Sequence, residues 1–175
     1  MNIPGFYDAV VEPEPWEREQ LKRANLDLKA YQQFLGITEF HTPPGYTPFE
    51  AIRFLPTLEF NGFSGGYQGE GAKTIIPAKA GAKISMRLVP DQTPEEIERK
   101  FTAYVKKLAP PEVKVTVTSL HGGSAFLSEV DAPAFRATER ALERAFGKKP
   151  VLTREGGSIP FTAPIQAALR CPVIL

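Results

Sequence analysis

Four short stretches carry side chains that could recognise a small polar ligand. Arg154-Glu155-Gly156-Gly157-Ser158 joins a guanidinium, a carboxylate and a hydroxyl through two glycines. Glycines let a backbone come close to a ligand, and a helix N-terminus after such a turn favours an anion. Ser158 as a plain N-cap would account for the same hydroxyl. His121-Gly122-Gly123 puts an imidazole where a strand gives way to a flexible pair. It is either a half-exposed turn histidine, the commoner case, or a hydrogen-bond donor facing a ligand. Arg87 stands between Met86 and Leu88. It either points to solvent from the polar side of a strand or offers a fork to a carboxylate. Glycines at 62, 65, 66, 69 and 71 suggest a phosphate loop, and Lys73-Thr74 follows them. A strand rather than a helix comes next, which argues against nucleotide binding.

Composition narrows the field of partners. Hydrophobic residues are 42% and charged residues 23% of the 175, the balance of a globular chain. Lys plus Arg number 21 and Asp plus Glu 20, a formal charge of +1, so no global field draws in nucleic acid or anionic lipid. No apolar run approaches the roughly 18 residues of a membrane span. Met1 to Gly5 lacks the features of a signal peptide. A single cysteine, Cys171, excludes an internal disulfide and suits a reducing compartment, so a cytoplasmic location is expected. Two histidines, with no HExxH, HxD or CxxC motif, give no support to a self-contained zinc site.

The elements that must position these residues follow from periodicity and punctuation. Residues 1–54 are rich in Pro and Gly and read as a wrapped surface segment with one helix, Pro15 to Phe34. Thr57 to Phe63 alternates as a half-buried strand, and Lys73 to Val89 reads as a long strand broken near Pro77. Ala82, Ile84, Met86 and Leu88 take one side of it, and Lys83, Ser85 and Arg87 the other. Thr93, Pro94 and Glu96 form a capping-box start for a helix with Ile97, Phe101, Val105 and Leu108 on one face. Val113, Val115 and Val117 predict another strand, and Val151 to Thr153 a short one. Asp131 is expected to cap a helix running to Phe146, with Gly147 as its left-handed terminator. A last helix, Ile159 to Leu169, should kink at Pro164, and Pro172 to Leu175 is a further strand signal. The order implies an α+β fold: an antiparallel sheet with helices on one face, in a right-handed split βαβ arrangement.

Three segments taken jointly resemble one family: Gly69 to Lys79, Ile84 to Pro90, and Arg154 to Pro160, with His121-Gly122-Gly123 between them. This pattern is similar to the M20 metallopeptidases, in their cytosolic dipeptidase or carnosinase-like branch. The likeness is colinear over about residues 55–175, and Pro4-Gly5-Phe6-Tyr7-Asp8 resembles the insertion found in that branch. It implies three parts: a Pro/Gly-rich insertion at 1–54 wrapping a lid, a partial ferredoxin-like lid and dimerisation domain at 55–121, and a truncated piece of an α/β catalytic domain at 122–175. Residue by residue it implies substrate contacts for Thr74, a carboxylate-pairing role for Arg87, a place near the same carboxylate for His121, and pocket-lining roles for Glu155 and Ser158.

The resemblance further implies two divalent ions in the full-length enzyme, zinc or manganese. Their ligands and the general base would lie upstream of Met1 and downstream of Leu175, so this chain alone is expected to bind no metal and to hydrolyse nothing. The implied partners are a dipeptide or short peptide and a second copy in a homodimer, with neither nucleic acid nor membrane. Two other readings remain open on the residues alone: a stand-alone, non-catalytic ferredoxin-like binding or dimerisation module, and an RNA-binding sheet. Neutral charge and absent RNP aromatics weigh against the second of these.

Overall fold

The computed structural model describes residues 3–156 and 159–175. Among them six helices accompany one two-stranded antiparallel sheet, an α+β arrangement. The sheet is the hairpin of β1 (Thr57–Ser64) and β2 (Gly81–Arg87), running from Thr57 opposite Arg87 to Ser64 opposite Gly81. The register shifts between Phe60 and Gly62, so Asn61 is an extra residue in β1. This bulge keeps Phe60 and Phe63 on one face, and their rings stack 5.4 Å apart.

Helix α4 (Pro94–Leu108) packs only on the Leu58–Met86 end of that face, and Phe60 and Phe63 stay exposed. Half of its expected capping box forms: Pro94 opens the helix and the Thr93 hydroxyl accepts from the Glu96 amide at 3.3 Å, but the Glu96 side chain does not return to the Thr93 amide. The Glu96 carboxylate is engaged by Lys100 at 2.7 Å, one turn along. Ile97, Ile3 and Phe6 are buried together, with Leu58, Met86, Leu88, Phe101 and Tyr104 packed around them. Two side chains hold this segment by its backbone carbonyls. The Gln92 amide donates to the Phe6 carbonyl at 2.6 Å, and Lys100 Nζ donates to the Gly5 carbonyl at 2.8 Å.

The first 54 residues hold three helices where the sequence predicts one. α1 (Pro15–Arg23) stops because Asn25 takes a left-handed φ of 48°. Asp27 then caps α2 (Leu28–Leu35), accepting from Lys29 and Ala30 amides at 2.8 and 3.1 Å. α3 (Pro48–Phe54) begins at a reciprocal capping box between Thr47 and Glu50. An ion pair of 2.7 Å between Arg18 and Glu50 joins α1 to α3.

The remaining expectations divide. α5 (Pro133–Phe146) ends on left-handed Gly147 as expected, but its N-cap is Ala132. Asp131 instead meets Arg136 at 3.5 Å in open solvent. α6 (Thr162–Leu169) starts three residues later than predicted. Pro164 therefore sits in its first turn, where the missing N–H has no helical partner to lose, and no kink is required. Residues 73–80, 113–120, 151–153 and 172–175 are not strands. Val115 and Val117 are still more buried than their neighbours, so the alternation is real. A ladder needs a second edge, and among the described residues none is paired to these segments.

Candidate functional site

The candidate residues are placed at three separate elements and in one loop. Arg87 is the last residue of β2, exposed, opposite Thr57. α3 ends three residues before β1 begins, and α4 begins shortly after β2 ends, so both lie at this open end of the hairpin. His121 is exposed, and its turn is seated against the start of α4. A Cβ on Gly122 would fall 2.6 Å from Pro94 at the start of α4, and one on Gly123 would fall 3.6 Å from Pro160. Glycine at 122 is thus required by close approach.

The segment carrying Glu155 is moulded on α1 and α3. The Leu152 amide donates to Gln20 Oε1 at 3.4 Å. Arg154 donates from Nε and Nη2 to the two oxygens of Glu17 at 2.6 and 2.8 Å, and from Nη1 to the Val11 carbonyl at 3.1 Å. Its guanidinium also lies 5.1 Å from the centre of the Phe54 ring. Glu155 Oε2 is 3.7 Å from Arg53 Nη2, and its Oε1 accepts from the Gly156 amide at 3.1 Å. The Glu155 side chain remains 69% exposed. A Cβ on Gly156 would stand 2.5 Å from the Ile52 carbonyl oxygen, so the turn touches α3 backbone directly. Ser158 lies outside the described residues.

Thr74 is elsewhere. It is exposed in the loop between Ser64 and Gly81, at the closed tip of the hairpin. An eight-residue strand separates that tip from the open end by roughly 25 Å. A recess of about 460 Å³ is also at the tip, lined by Ser64, Gly65, Gly66, Ile75 and residues 77–81, with Lys79 its charged member. No candidate site residue lines it. Gly62-Phe63-Ser64-Gly65-Gly66 matches the GxSxG pattern, but it runs from a strand into this loop and not into a helix, so the nucleophile-elbow geometry is missing.

Sequence reasoning missed Glu17 and Arg53. The Glu14-x-x-Glu17 capping box was a visible signal, and the Glu14 amide does donate to Glu17 at 2.8 Å. Its pairing with a residue 137 positions away was not. Among the described residues two buried polar atoms have no hydrogen-bond partner, Arg53 Nε and Thr57 Oγ1, and both flank the open end. No three His, Cys, Asp or Glu side chains of the described residues come together as metal ligands. No helix of the described residues is long and apolar enough to cross a membrane.

The peptidase dimerisation domain of the M20 peptidases matches residues 19–113, more than half of the chain. The chain belongs to this family. Over 99% of its length it is 33% identical to a Cys-Gly metallodipeptidase of Schizosaccharomyces pombe, of which it covers 37%. It is 27% identical, again over 99% of its length, to the human Beta-Ala-His dipeptidase, of which it covers 35%. The crystal structure of human carnosine dipeptidase 1 superposes with a TM-score of 0.76 at 26% identity, over 98% of this chain and 37% of that one. An M20 family metallo-carboxypeptidase from Sulfolobus solfataricus gives a TM-score of 0.75 at 28% identity, over 91% of this chain and 36% of that one. The chain thus spans little more than a third of the curated relatives it matches.

Proposed function

We propose that this chain is the substrate-recognition and dimerisation part of an M20-type metallodipeptidase that hydrolyses dipeptides or short peptides in the cytoplasm as a homodimer. Its parts are an insertion at 1–54, a partial lid at 55–121 and a piece of the catalytic domain at 122–175. Both curated dipeptidases carry names that specify a dipeptide, and a dipeptide ends in a free carboxylate. Arg87 binds that carboxylate as a planar fork, and His121 donates a further hydrogen bond. Glu155, Ser158 and Thr74 contact the rest of the peptide.

What supports this reading is Arg87 at the end of β2, the His121 turn packed on Pro94 at the start of α4, and the Glu155 turn packed on Ile52 of α3. The described residues do not fit a metal site. Two divalent ions, zinc or manganese, would need ligands from polypeptide beyond these residues. Nothing observed favours the stand-alone module.

The test is the complete protein, loaded with zinc or manganese and assayed against Cys-Gly and β-Ala-His. Hydrolysis of at least one is expected, and hydrolysis of neither overturns the reading. Arg87→Ala should raise KM roughly tenfold or more while kcat changes less, the effect of losing a charged hydrogen-bond donor. An unchanged KM would remove Arg87 from its role.

A further inference from the structure

Glu155 is exposed, yet the chain around it is held at Leu152, Arg154 and Gly156. The holding groups come from α1 and α3, more than a hundred residues earlier. Glu17, Gln20 and Leu21 fall on one face of α1 by their spacing. Gln20 takes the amide of Leu152, and Glu17 takes the side chain of Arg154. Both members of the Glu17–Arg154 pair are about nine-tenths buried, with side-chain exposures of 10% and 9%. Three donors of the guanidinium are used within the protein, so Arg154 has little left to offer a ligand.

We propose that Glu17 and Arg154 are positioning residues for peptide recognition: their bidentate ion pair fixes the turn that presents Glu155, making α1 a working part of the substrate site. This rests on the dipeptidase reading above. The pair is suited to the task because a fork-to-fork contact fixes orientation as well as distance, which a single hydrogen bond does not. Gly156, pressed against the Ile52 carbonyl, sets the height of the turn, and Arg53 holds one Glu155 oxygen from the side. With its backbone fixed on one flank by α1 and on the other by α3, Glu155 keeps one orientation while its carboxylate stays open to solvent. Recognition geometry of this kind is lost with displacements of about an ångström.

The experiment uses the complete metal-loaded enzyme and two variants. Glu17→Gln keeps the shape and removes the charge. Arg154→Lys keeps a buried cation and removes the fork, and it decides the matter should Glu17→Gln fail to fold. Amide hydrogen exchange is read at residues 152–156 and in the hairpin, and KM and kcat are read for Cys-Gly and β-Ala-His. Expected are exchange at 152–156 faster by roughly tenfold with the hairpin unchanged, and KM raised roughly tenfold with kcat nearly constant. Unchanged exchange in both variants would overturn the positioning role. Faster exchange with an unchanged KM would overturn its link to substrate. An inactive parent enzyme would sink the dipeptidase reading instead, and the exchange at 152–156 would still decide whether Glu17 holds the turn.

Discussion

Gly156 shows how much a single residue's size can decide. With 2.5 Å between a new Cβ and the Ile52 carbonyl oxygen, Gly156→Ala must push the turn off α3. Overpacking of this kind costs about 1–3 kcal/mol, and a lowered midpoint in urea is the expected readout. An unchanged midpoint would mean that the turn is free to yield. Tyr46 gives a second test. Its phenol donates to Glu12 at 2.6 Å, and burial together with that carboxylate pushes its pKa up to about 12. The folded state keeps the proton after the unfolded state has lost it. This contribution to stability is therefore intact below about pH 10 and falls between 10 and 12. Absorbance titration at alkaline pH should show one of the five tyrosines ionising late, and Glu12→Gln should bring it forward. At this scale the sequence pointed well to types of residue and poorly to their partners. Arg154 belongs to a stretch whose composition points to a ligand, but its carboxylate comes from α1, and no local pattern encodes a contact across 137 positions.

At the scale of elements, legibility followed the range of the interactions that make each one. Helix α4 is defined by residues within four positions of one another, so its Thr93 cap and the Ile97–Phe101 part of its apolar face could be read directly; Leu108, expected on that face, is exposed, and Tyr104 packs on the core instead. Thr93→Ala removes an acceptor from the first turn and should cost about 1 kcal/mol, measured as a loss of thermal stability. Thr93→Gly should cost less, because glycine suits the cap backbone; a larger loss from glycine than from alanine would contradict the capping role. The split of the first predicted helix was also written locally, in Asn25 and the Asp27 cap, but the loosely spaced leucines obscured it. Strands are different. Val113 to Val117 has the right alternation and still forms no ladder, because alternation specifies a face and says nothing of a partner edge. The β1–β2 hairpin could be read because its partner follows after a single loop.

Among the described residues seven hydrophobic side chains are buried; all lie between Ile3 and Ile97, and four of them belong to the first 54 residues. The N-terminal segment therefore contributes to the core that its proline and glycine content seemed to deny it. What fastens it is polar: Gln92 on the Phe6 carbonyl, and the chain from Glu96 through Lys100 to the Gly5 carbonyl, with links of 2.7 and 2.8 Å. Lys100 holds the Glu96 carboxyl below the usual carboxylate range, by its hydrogen bond first and its charge second. A depressed carboxylate adds stability that is present above the unfolded pKa and is lost as pH falls through the folded one. Acid should thus free Lys100 from Glu96 and weaken its grip on Gly5 before the apolar contacts of Ile3 and Phe6 give way. Hydrogen exchange at residues 5–8 followed from pH 7 downward should rise, relative to β1, once the solution drops below the ordinary range of a glutamate. Glu96→Gln should already show the raised exchange at neutral pH and lose the acid step. If parent and variant loosen at the same pH, the fastening resides in Gln92 and the buried side chains, and Lys100 needs no carboxylate to hold the segment down.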